Sequence, residues 1–244
     1  MKIVTWNMDY WKRNNEQRVI AWNYLMKSID PEIALLQEIV PPDTSFDSHH
    51  VLYHEIDAKR KWGTALISKH PVHKEIYVHN CYPGSNGLII GEIKISNNIL
   101  LTAINIYGQI DSNGYASTTM HHIISDLTVI LNKNNKRKIL LGGDFNVSEQ
   151  FDEKYKGQFA SHKLIFDRFE DFGLINCTKR YYNGHIQTHV HNKSIFEWQN
   201  DYIFVSENIF NDVKSCEVIN KDELLEYSDH FPVILELNIN FAEK

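Results

Sequence analysis

Cysteine is scarce in this sequence of 244 residues, which contains only three. Cys81, Cys177 and Cys216 are too few and too widely spaced for a disulfide framework or a zinc knuckle. The sequence also lacks an apolar run long enough to span a membrane. The first predicted strand begins at Lys2, which leaves no room for a secretory signal peptide before it. We therefore expect a cytoplasmic protein without a transmembrane segment.

Basic residues are outnumbered by acidic ones, with 25 Lys and Arg against 31 Asp and Glu and a formal net charge of −6. This balance argues against broad electrostatic attraction to nucleic acid, which usually depends on a basic face. A metal site concentrates acidic residues, however, so bound cations would offset part of the negative charge. Basic clusters remain at 12–13, 59–61 and 133–138, and we interpret each as a solvated loop or helix end. The first two are close in sequence to predicted site loops.

The sequence has no internal repeat, low-complexity tract or linker rich in Pro, Gly or Ser. Hydrophobic residues make up 43% of the chain and charged residues 23%, which provides enough apolar material for a full core. Candidate site residues extend from Asn7 to His230, so both ends of the chain must return to a common centre. We therefore predict that residues 1–244 form a single domain.

Apolar periodicity predicts groups of strands separated by helices. A helix is expected over 15–29, with Asn14 or Asn15 as its N-cap and Asp30-Pro31 as its stop. Further helices are expected over 115–132 and 161–172. Strands are expected at 2–6, 32–37, 51–53, 65–67, 76–78, 88–95, 99–107, 138–143, 174–178, 186–190, 200–205, 213–219 and 233–239. This arrangement indicates two sheets packed face to face with helices outside.

Carboxylates follow several predicted strands at the point where each strand ends. The motif GGDFN (142–146) comes directly after an apolar run, and SDH (228–230) precedes the last strand. Asn7 and Asp9 close the first strand, and Glu38 closes the second. Each motif alone is typical of a turn, because Asp and Asn side chains bond their own backbone there. Together they have the layout of a metal-dependent hydrolase.

The order of the motifs is more specific than any one of them. Seven follow one another along the chain: TWNMD (5–9), QE (37–38), WGTALIS (62–68), NIY (105–107), GGDFN (142–146), NDYIFVS (200–206) and SDHFPV (228–233). This order resembles the endonuclease/exonuclease/phosphatase superfamily, which includes DNase I, exonuclease III, apurinic endonucleases, sphingomyelinases and inositol phosphatases. The resemblance covers residues 2–237. It implies the DNase I-like α/β (α+β) fold, a four-layer α/β/β/α sandwich with two packed mixed sheets.

The resemblance implies a metal site at these strand ends. Converging bare carboxylates repel one another by roughly 1–4 kcal/mol at about 4 Å, and a cation removes that conflict. The hard oxygen donors favour Mg²⁺ or Mn²⁺ over zinc. By resemblance, Glu38 is the principal metal ligand, and the supporting ligands are Asn7, Asp9 and Asp229. An Asp at position 9 is typical of apurinic endonucleases.

The resemblance also implies roles for four residues in attack on a phosphate. Asp144 and Asn146 are expected to orient the attacking water, and Asp144 is expected to deprotonate it. His230 is expected to contact the scissile phosphate, as a cation or as a hydrogen-bond donor. Its second ring nitrogen needs an orienting carboxylate, and the residue that matches the family here is Asp201. Without the resemblance, Asp201 would be interpreted as a turn residue at the start of a strand.

Tyr107 separates two branches of the superfamily. Phosphatase and sphingomyelinase relatives commonly have Asn-x-His at this place, whereas exonuclease III-like and apurinic endonucleases have a Tyr that reaches the phosphate. The chain has Asn105-Ile106-Tyr107, so we expect Tyr107 at the phosphate and Asn105 beside it as a substrate contact. The following Gly108-Gln109 departs from these nucleases, which usually have an apolar residue and Pro there. Packing on the core is the alternative for Tyr107.

Three further residues are candidate substrate contacts. Tyr10 and Trp11 follow Asp9 on a predicted loop rim, where an aromatic ring can stack on a base or an apolar group. Core packing is an equal alternative for both. His189 follows Thr188 on a segment where relatives often carry Thr and then an aromatic residue or His. A surface position without function is the alternative for His189.

The motifs together predict a Mg²⁺-dependent phosphodiester hydrolase, a nuclease that acts on DNA or RNA as a monomer. A phosphatase or phosphodiesterase of the same superfamily, acting on a lipid, a nucleotide or a protein–DNA adduct, is the alternative, because the chain is acidic and short. A non-catalytic binding module is a third interpretation. Such modules usually lose a metal ligand or a catalytic residue, whereas every expected position is filled here.

Overall fold

The computed structural model describes residues 1–78, 85–132, 136–156, 161–191 and 193–238. Twelve strands form two six-stranded sheets within these residues. In chain order the strands are β1 (Lys2–Asn7), β2 (Ile33–Ile39), β3 (His50–Asp57), β4 (Trp62–Ser68), β5 (Val72–Glu75), β6 (Leu88–Ser96), β7 (Ile99–Tyr107), β8 (Lys138–Asp144), β9 (Leu174–Asn176), β10 (Asp201–Ser206), β11 (Val213–Val218) and β12 (Val233–Leu237).

Both sheets are mixed. The first has the strand order β11-β12-β1-β2-β4-β3, and the second has the order β5-β6-β7-β8-β10-β9. Strand β1 is parallel to β2 and antiparallel to β12, while β7 is parallel to β8 and antiparallel to β6. The two parallel pairs therefore lie at the centre of their sheets.

Helices cover the outer faces of both sheets. In the described residues the α-helices are α1 (Asn15–Asn23), α2 (Asp43–Ser48), α3 (Ser117–Leu127), α4 (Glu149–Lys154), α5 (Lys163–Asp171), α6 (Cys177–Tyr182) and α7 (Glu207–Phe210). One hydrophobic cluster fills the space between the sheets and includes Leu35 and Leu140. A second packs the second sheet against α3 and α5, and a third packs the first sheet against α1. The predicted four-layer α/β/β/α arrangement is confirmed.

Helix α1 begins where the sequence predicts. Asn14 Oδ1 accepts a hydrogen bond from Gln17 N at 2.9 Å, and Gln17 Oε1 accepts one from Asn14 N at 3.1 Å, which forms a capping box. The helical path ends at Asp30, which has a φ of 51° and directly precedes Pro31. The extent of the predicted helix is confirmed, but its last six residues form a π-helical turn, Tyr24–Ile29.

Several predicted elements have different bounds. Pairing of β5 with β6 ends at Glu75, so the edge strand comes before the predicted segment 76–78. Segment 186–190 forms no strand, because His189 makes only isolated bridges to single residues of two loops. Helix α3 ends before the predicted 132, where Thr128 N turns to bond Ser125 O at 3.3 Å. The hairpin between β6 and β7 is confirmed.

The structure describes two of the three cysteines. Cys177 and Cys216 are buried free thiols, and Cys81 lies outside the described residues. The first part of the basic cluster 133–138 and the end of the predicted strand 233–239 also lie outside them. No helix in the described part of the chain is long and apolar enough to cross a membrane.

The strand register brings the predicted site motifs to one edge of the sandwich. Asn7 pairs with Gln37 at the carboxyl ends of parallel β1 and β2. Tyr107 pairs with Asp144 at the carboxyl ends of parallel β7 and β8, and Asp201 pairs with Asp144 from the start of antiparallel β10. Because these ends all face the same way, polar side chains from both sheets meet at this edge.

Candidate active site

An acidic centre joins the two sheets at this edge. The Asn7 Nδ2 group donates hydrogen bonds to Asp144 Oδ2 at 2.9 Å and to Glu38 Oε1 at 3.2 Å. The Tyr107 hydroxyl donates to the same Glu38 Oε1 at 2.9 Å. Burial, and then the Glu38 carboxylate, hold the pKa of Tyr107 well above its usual value, so its hydroxyl stays protonated as a donor. Asn7, Glu38, Tyr107 and Asp144 therefore form one bonded group.

Three site residues have backbone conformations that most side chains avoid. Asp9, Glu38 and Asn146 have φ values of 45°, 47° and 50°, in the left-handed region. Asp and Asn tolerate this region because their short side chains bond locally, as the Asn146 amide does with Asp144 Oδ2 at 3.1 Å. Glu38 lies where the register between β2 and β4 shifts. Such conformations are concentrated at functional sites.

A histidine flanked by two carboxylates lies beside the acidic centre. His230 Nδ1 is 2.8 Å from Asp201 Oδ2, and His230 Nε2 is 3.9 Å from Asp144 Oδ2. All three side chains are buried. Thr188 Oγ1 accepts a hydrogen bond from Asp201 N at 3.0 Å, which fixes the start of β10. The ring is thus held from one side, and its second nitrogen faces the acidic centre.

Burial and charge shift the pKa values of this pair in ways that suit proton transfer. Burial raises the pKa of the Asp144 carboxyl to about 7, because the attraction of His230 offsets burial only in part. Burial alone would lower the pKa of His230, but the carboxylates of Asp201 and Asp144 raise it to about 10. His230 is therefore a cation at neutral pH, and Asp144 changes protonation near it.

A second acidic pair, Asp9 and Asp229, is bridged by the Lys12 ammonium. Lys12 Nζ lies 3.2 Å from Asp9 Oδ1 and 2.8 Å from Asp229 Oδ2, and Arg13 Nη2 lies 2.8 Å from Asp9 Oδ2. Burial and the Asp229 charge raise the pKa of Asp9 to about 6, although Lys12 and Arg13 oppose them. Burial would raise the pKa of Asp229, but His230 and Lys12 outweigh it and lower that pKa.

The acidic centre fits a divalent cation. Glu38 Oε2 is buried and has no hydrogen-bond partner among the described residues, as expected for an atom that binds something else. The neighbouring carboxylate oxygens suit a hard cation, while Asn7 turns Nδ2 toward Glu38 and its Oδ1 accepts a hydrogen bond from Asp9 N at 2.9 Å. Two compact groups also contain His230, one with Asp144 and Asp201 and one with His189 and Asp229. Asp201 in the first group already holds the His230 ring, and Glu38 carries an unpartnered buried oxygen at the acidic centre.

Asn105 lies inside the sandwich, away from the position expected for a substrate contact. Its side chain is fully buried, and Nδ2 donates to Leu36 O and Ala65 O, both at 2.9 Å. Its Oδ1 accepts a hydrogen bond from Gln37 Nε2 at 2.6 Å. The substrate role is corrected to a structural one: Asn105 connects β7 of the second sheet to β2 and β4 of the first. It shares a face with Tyr107, as predicted, but lies one step deeper.

The two aromatic residues after Asp9 take different positions. Tyr10 packs partly buried against the hydrophobic cluster under α1, and the Arg18 guanidinium carbon lies 3.8 Å from its ring centre. Tyr10 also lines a cavity of about 630 Å³ beside α1, and its substrate contact stays a prediction. Trp11 is 38% exposed at the rim, where the Arg60 guanidinium carbon lies 4.6 Å from its ring centre.

His189 lies next to the catalytic candidates. Its ring stacks on the His230 ring at 4.4 Å with an interplanar angle of 26°. Burial, and then the positive charge of His230, lower the pKa of His189 to about 3, so its ring is neutral at physiological pH. A neutral ring in this place provides one donor and one acceptor beside the His230 cation.

Several residues contribute to the site although no role in it was predicted for them from the sequence. Lys12 and Arg13 bind Asp9, although they were interpreted as a solvated loop or helix end close to a predicted site loop. The ring of Trp62 packs edge-on against Tyr107 at 5.7 Å, and Ser228 Oγ donates to Asn7 O at 2.6 Å. The spacing of Lys12 and Arg13, three and four residues after Asp9, is the signal that was available for them.

The family model described as "Endonuclease/Exonuclease/phosphatase family" matches residues 4–230 of the chain. This range contains every candidate metal-binding and catalytic residue, from Asn7 to His230. A search by sequence among curated proteins finds no match.

Solved structures share the fold over nearly the whole chain. An AP endonuclease from Archaeoglobus fulgidus superimposes with a TM-score of 0.78 and 18% identity, covering 98% of this chain and 100% of the other. A 3'-5' exonuclease (NExo) from Neisseria meningitidis gives 0.70 and 19%, with the same coverage. A variant of the 3' phosphatase NExo from Neisseria, bound to product DNA hairpin, gives 0.69 and 18%, covering 97% and 99%. At these identities the similarity establishes the fold.

Proposed function

The chain belongs to the endonuclease/exonuclease/phosphatase family, and on this premise we propose that it is a nuclease that cleaves phosphodiester bonds of DNA. Membership makes it a hydrolase of phosphoester bonds. The observation that supports the proposal most strongly is the pair formed by Asp144 and His230, whose Oδ2 and Nε2 atoms lie 3.9 Å apart. It puts a base and a cation next to each other at the acidic centre.

The Asp144 carboxylate is the general base in this proposal. Its Oδ2 accepts hydrogen bonds from the amides of Asn7 and Asn146, and its Oδ1 accepts one from Asn146 N at 2.9 Å. These bonds fix the carboxylate without protonating it. With a pKa of about 7, Asp144 is able to take a proton from water near neutral pH. The side-chain oxygen of Asn146 helps to orient that water.

His230 acts on the phosphate. As a cation with a pKa of about 10, it donates Nε2–H to a non-bridging oxygen and stabilises negative charge that develops there. Asp201 keeps the ring in this orientation through Nδ1, at 2.8 Å. A divalent cation held by Glu38 and Asn7, with Asp9 and Asp229 near it, would neutralise phosphate charge and ease departure of the leaving oxygen. The oxygen donors favour Mg²⁺, with Mn²⁺ as the substitute.

Two observations support DNA as the substrate. The chain shares its fold with an AP endonuclease, a 3'-5' exonuclease and a 3' phosphatase bound to product DNA hairpin. Tyr107, whose residue type resembles the nuclease branch of the superfamily, lies at the acidic centre and donates to Glu38. A substrate phosphate at this centre would lie within reach of the Tyr107 hydroxyl.

We also propose that residues 1–244 act as one catalytic domain and as a monomer. Residues from both ends of the chain complete the site, since Ser228 Oγ donates to Asn7 O and Trp6 Nε1 donates to His230 O at 2.9 Å. No second copy is needed to supply a residue that the mechanism uses.

A substrate panel tests the proposed function. The wild-type protein with Mg²⁺ is offered intact duplex, abasic-site duplex, single-stranded DNA and RNA, alongside an inositol phosphate, sphingomyelin and a small phosphate monoester. We expect cleavage of at least one DNA substrate at a higher kcat/KM than release of phosphate from any small ester. The variant Asp144→Asn controls for contaminating nuclease. Turnover of a small ester or lipid with no cut in any nucleic acid would overturn the nuclease assignment.

A further inference from the structure

A basic turn lies between β3 and β4. Lys59, Arg60 and Lys61 are consecutive and exposed, and we refer to them as the basic turn. Its backbone is fixed: Asp57 Oδ1 accepts hydrogen bonds from Lys59 N at 3.0 Å and from Arg60 N at 2.9 Å. Lys61 N donates to Asp57 O, and Lys61 has a φ of 54°. The turn therefore presents three cationic side chains in a defined place.

One contact connects the basic turn to the acidic pair of the site. The Arg60 guanidinium carbon lies 4.6 Å from the centre of the Trp11 ring, which is a cation–π contact. Trp11 directly precedes Lys12, whose ammonium reaches Asp9 and Asp229. Arg60 thus contacts the loop that carries Asp9 and Lys12.

A second contact, through different residues, leads from the turn to the acidic centre. Lys61 is followed by Trp62, the first residue of β4, whose ring is buried and packs edge-on against Tyr107. The Tyr107 hydroxyl donates to Glu38 Oε1 at 2.9 Å. Because two independent contacts fix its position, the basic turn lies beside the active site and not merely near it in sequence.

We propose that the basic turn binds backbone phosphates of the polynucleotide next to the scissile phosphate. This inference rests on the proposed nuclease function. The chain has a net charge of −6, and the site itself is lined with carboxylates, so a polyanion is repelled unless a local cationic surface holds it. Lys59 and Lys61 form no ion pair with any described residue, so their ammonium groups are available for phosphate.

A solvated charge run without function is the ordinary explanation of three adjacent basic residues. The docking of Arg60 on a half-exposed tryptophan and the fixed backbone of the turn argue against it here. Contacts of this kind fix the position of a nucleic acid and carry no base specificity. We therefore expect the turn to contribute equally to the binding of different sequences and more to long substrates than to short ones.

The test compares two double variants of equal charge. Lys59→Ala/Lys61→Ala removes the flexible cations of the turn. Lys94→Ala/Lys136→Ala is the matched control, since both residues are exposed and Lys94 pairs with Leu100, at the opposite end of the sheet from Tyr107. Binding of a fluorescent duplex oligonucleotide is measured in EDTA, which prevents cleavage, over about 50–200 mM salt. Thermal unfolding verifies that both variants are folded.

For the turn variant, we expect the log of the binding constant to fall less steeply with log salt, by about 1.8 in slope. Two phosphate contacts are removed, and each contributes about 0.9 to the slope on duplex DNA. The ratio of wild-type affinity to variant affinity should therefore fall about twelvefold between about 50 and 200 mM salt. The control should keep the wild-type slope. Equal slopes in the turn variant and wild type, or an equal loss in the control, would overturn the inference. Failure of wild type to cut any nucleic acid would instead count against the proposed function.

Discussion

The Lys12 ammonium lies 2.8 Å from Asp229 Oδ2 and 3.2 Å from Asp9 Oδ1, between two carboxylates that the sequence assigns to the metal. The chain thus supplies a cation of its own where two acidic side chains meet. A divalent ion that binds these oxygens has to displace the ammonium or share the carboxylates with it. Lys12 is 43% exposed, so its side chain has room to move.

Lys12→Met should increase the affinity for Mn²⁺ about tenfold, which corresponds to about 1.4 kcal/mol. This change is within the roughly 1–4 kcal/mol expected for removing a like charge at about 4 Å. Isothermal titration calorimetry measures it directly. The matched control is Lys27→Met, because Lys27 is exposed on the π-helical turn, outside the site. Unchanged or weaker Mn²⁺ binding in Lys12→Met would show that the ammonium does not compete with the ion.

Asp144→Asn should lose about 10²–10⁴-fold in kcat, as expected when a positioned base is removed. The same change should stabilise the fold. The pKa of Asp144 is raised to about 7 from 3.8, so folding favours its protonated form, and stability is lost as pH rises from about 4 to about 7. The melting temperature of Asp144→Asn should therefore exceed that of wild type by more at pH 8 than at pH 4. A constant difference between these pH values would contradict the assigned pKa.

Asp201 should act only through His230. Asp201→Asn and His230→Ala should each slow cleavage by about 10²–10⁴-fold, and the double variant should be little worse than His230→Ala. Because the Asp201 carboxylate helps to raise the pKa of His230 to about 10, Asp201→Asn should lower that pKa in an NMR titration. Fully additive losses, or an unchanged His230 pKa, would mean that Asp201 has a separate function.

Asn105→Ala should destabilise the fold. The substitution leaves Leu36 O and Ala65 O buried without their donor, and each unsatisfied group costs about 1–3 kcal/mol. We expect a loss of about 2–5 kcal/mol in urea unfolding. Metal affinity per folded molecule should remain close to wild type, since Asn105 does not touch the acidic centre. A stable variant with impaired substrate binding would restore the role that the sequence first suggested.

The sequence predicted the structural features that depend on local patterns of apolar and polar residues. Alternating strand and helix signals gave the four layers, and the sequence placed the start of α1 at Asn14 or Asn15, of which Asn14 is the N-cap. The positions of Asp144 and Tyr107 followed from motifs at strand ends, because the ends of parallel strands meet at one edge. The π-helical turn Tyr24–Ile29 has the same apolar periodicity as an α-helix, so the sequence does not distinguish them.

Features that depend on tertiary contacts were missed. Asn105 and Tyr107 share one face of β7, but only the packing of the two sheets determines that Asn105 bonds backbone inside the sandwich while Tyr107 reaches Glu38 at its edge. The segment around His189 has strand-like residues, yet the surrounding loops offer single bridges and no continuous partner strand. Lys12 is a surface residue by composition, and its contact with Asp229 spans most of the chain.

In the proposed mechanism, cleavage requires a divalent cation that Glu38 holds. The most direct measurement is cleavage of a labelled DNA oligonucleotide by wild type and Glu38→Gln, with Mg²⁺ and with excess EDTA. Glu38→Gln keeps the shape of the side chain but makes it a much weaker ligand, and circular dichroism verifies its fold. We predict cleavage by wild type with Mg²⁺, and near-complete loss of it in EDTA and in Glu38→Gln. Undiminished cleavage in EDTA would rule out the metal requirement, and undiminished cleavage by Glu38→Gln would rule out Glu38 as the principal ligand.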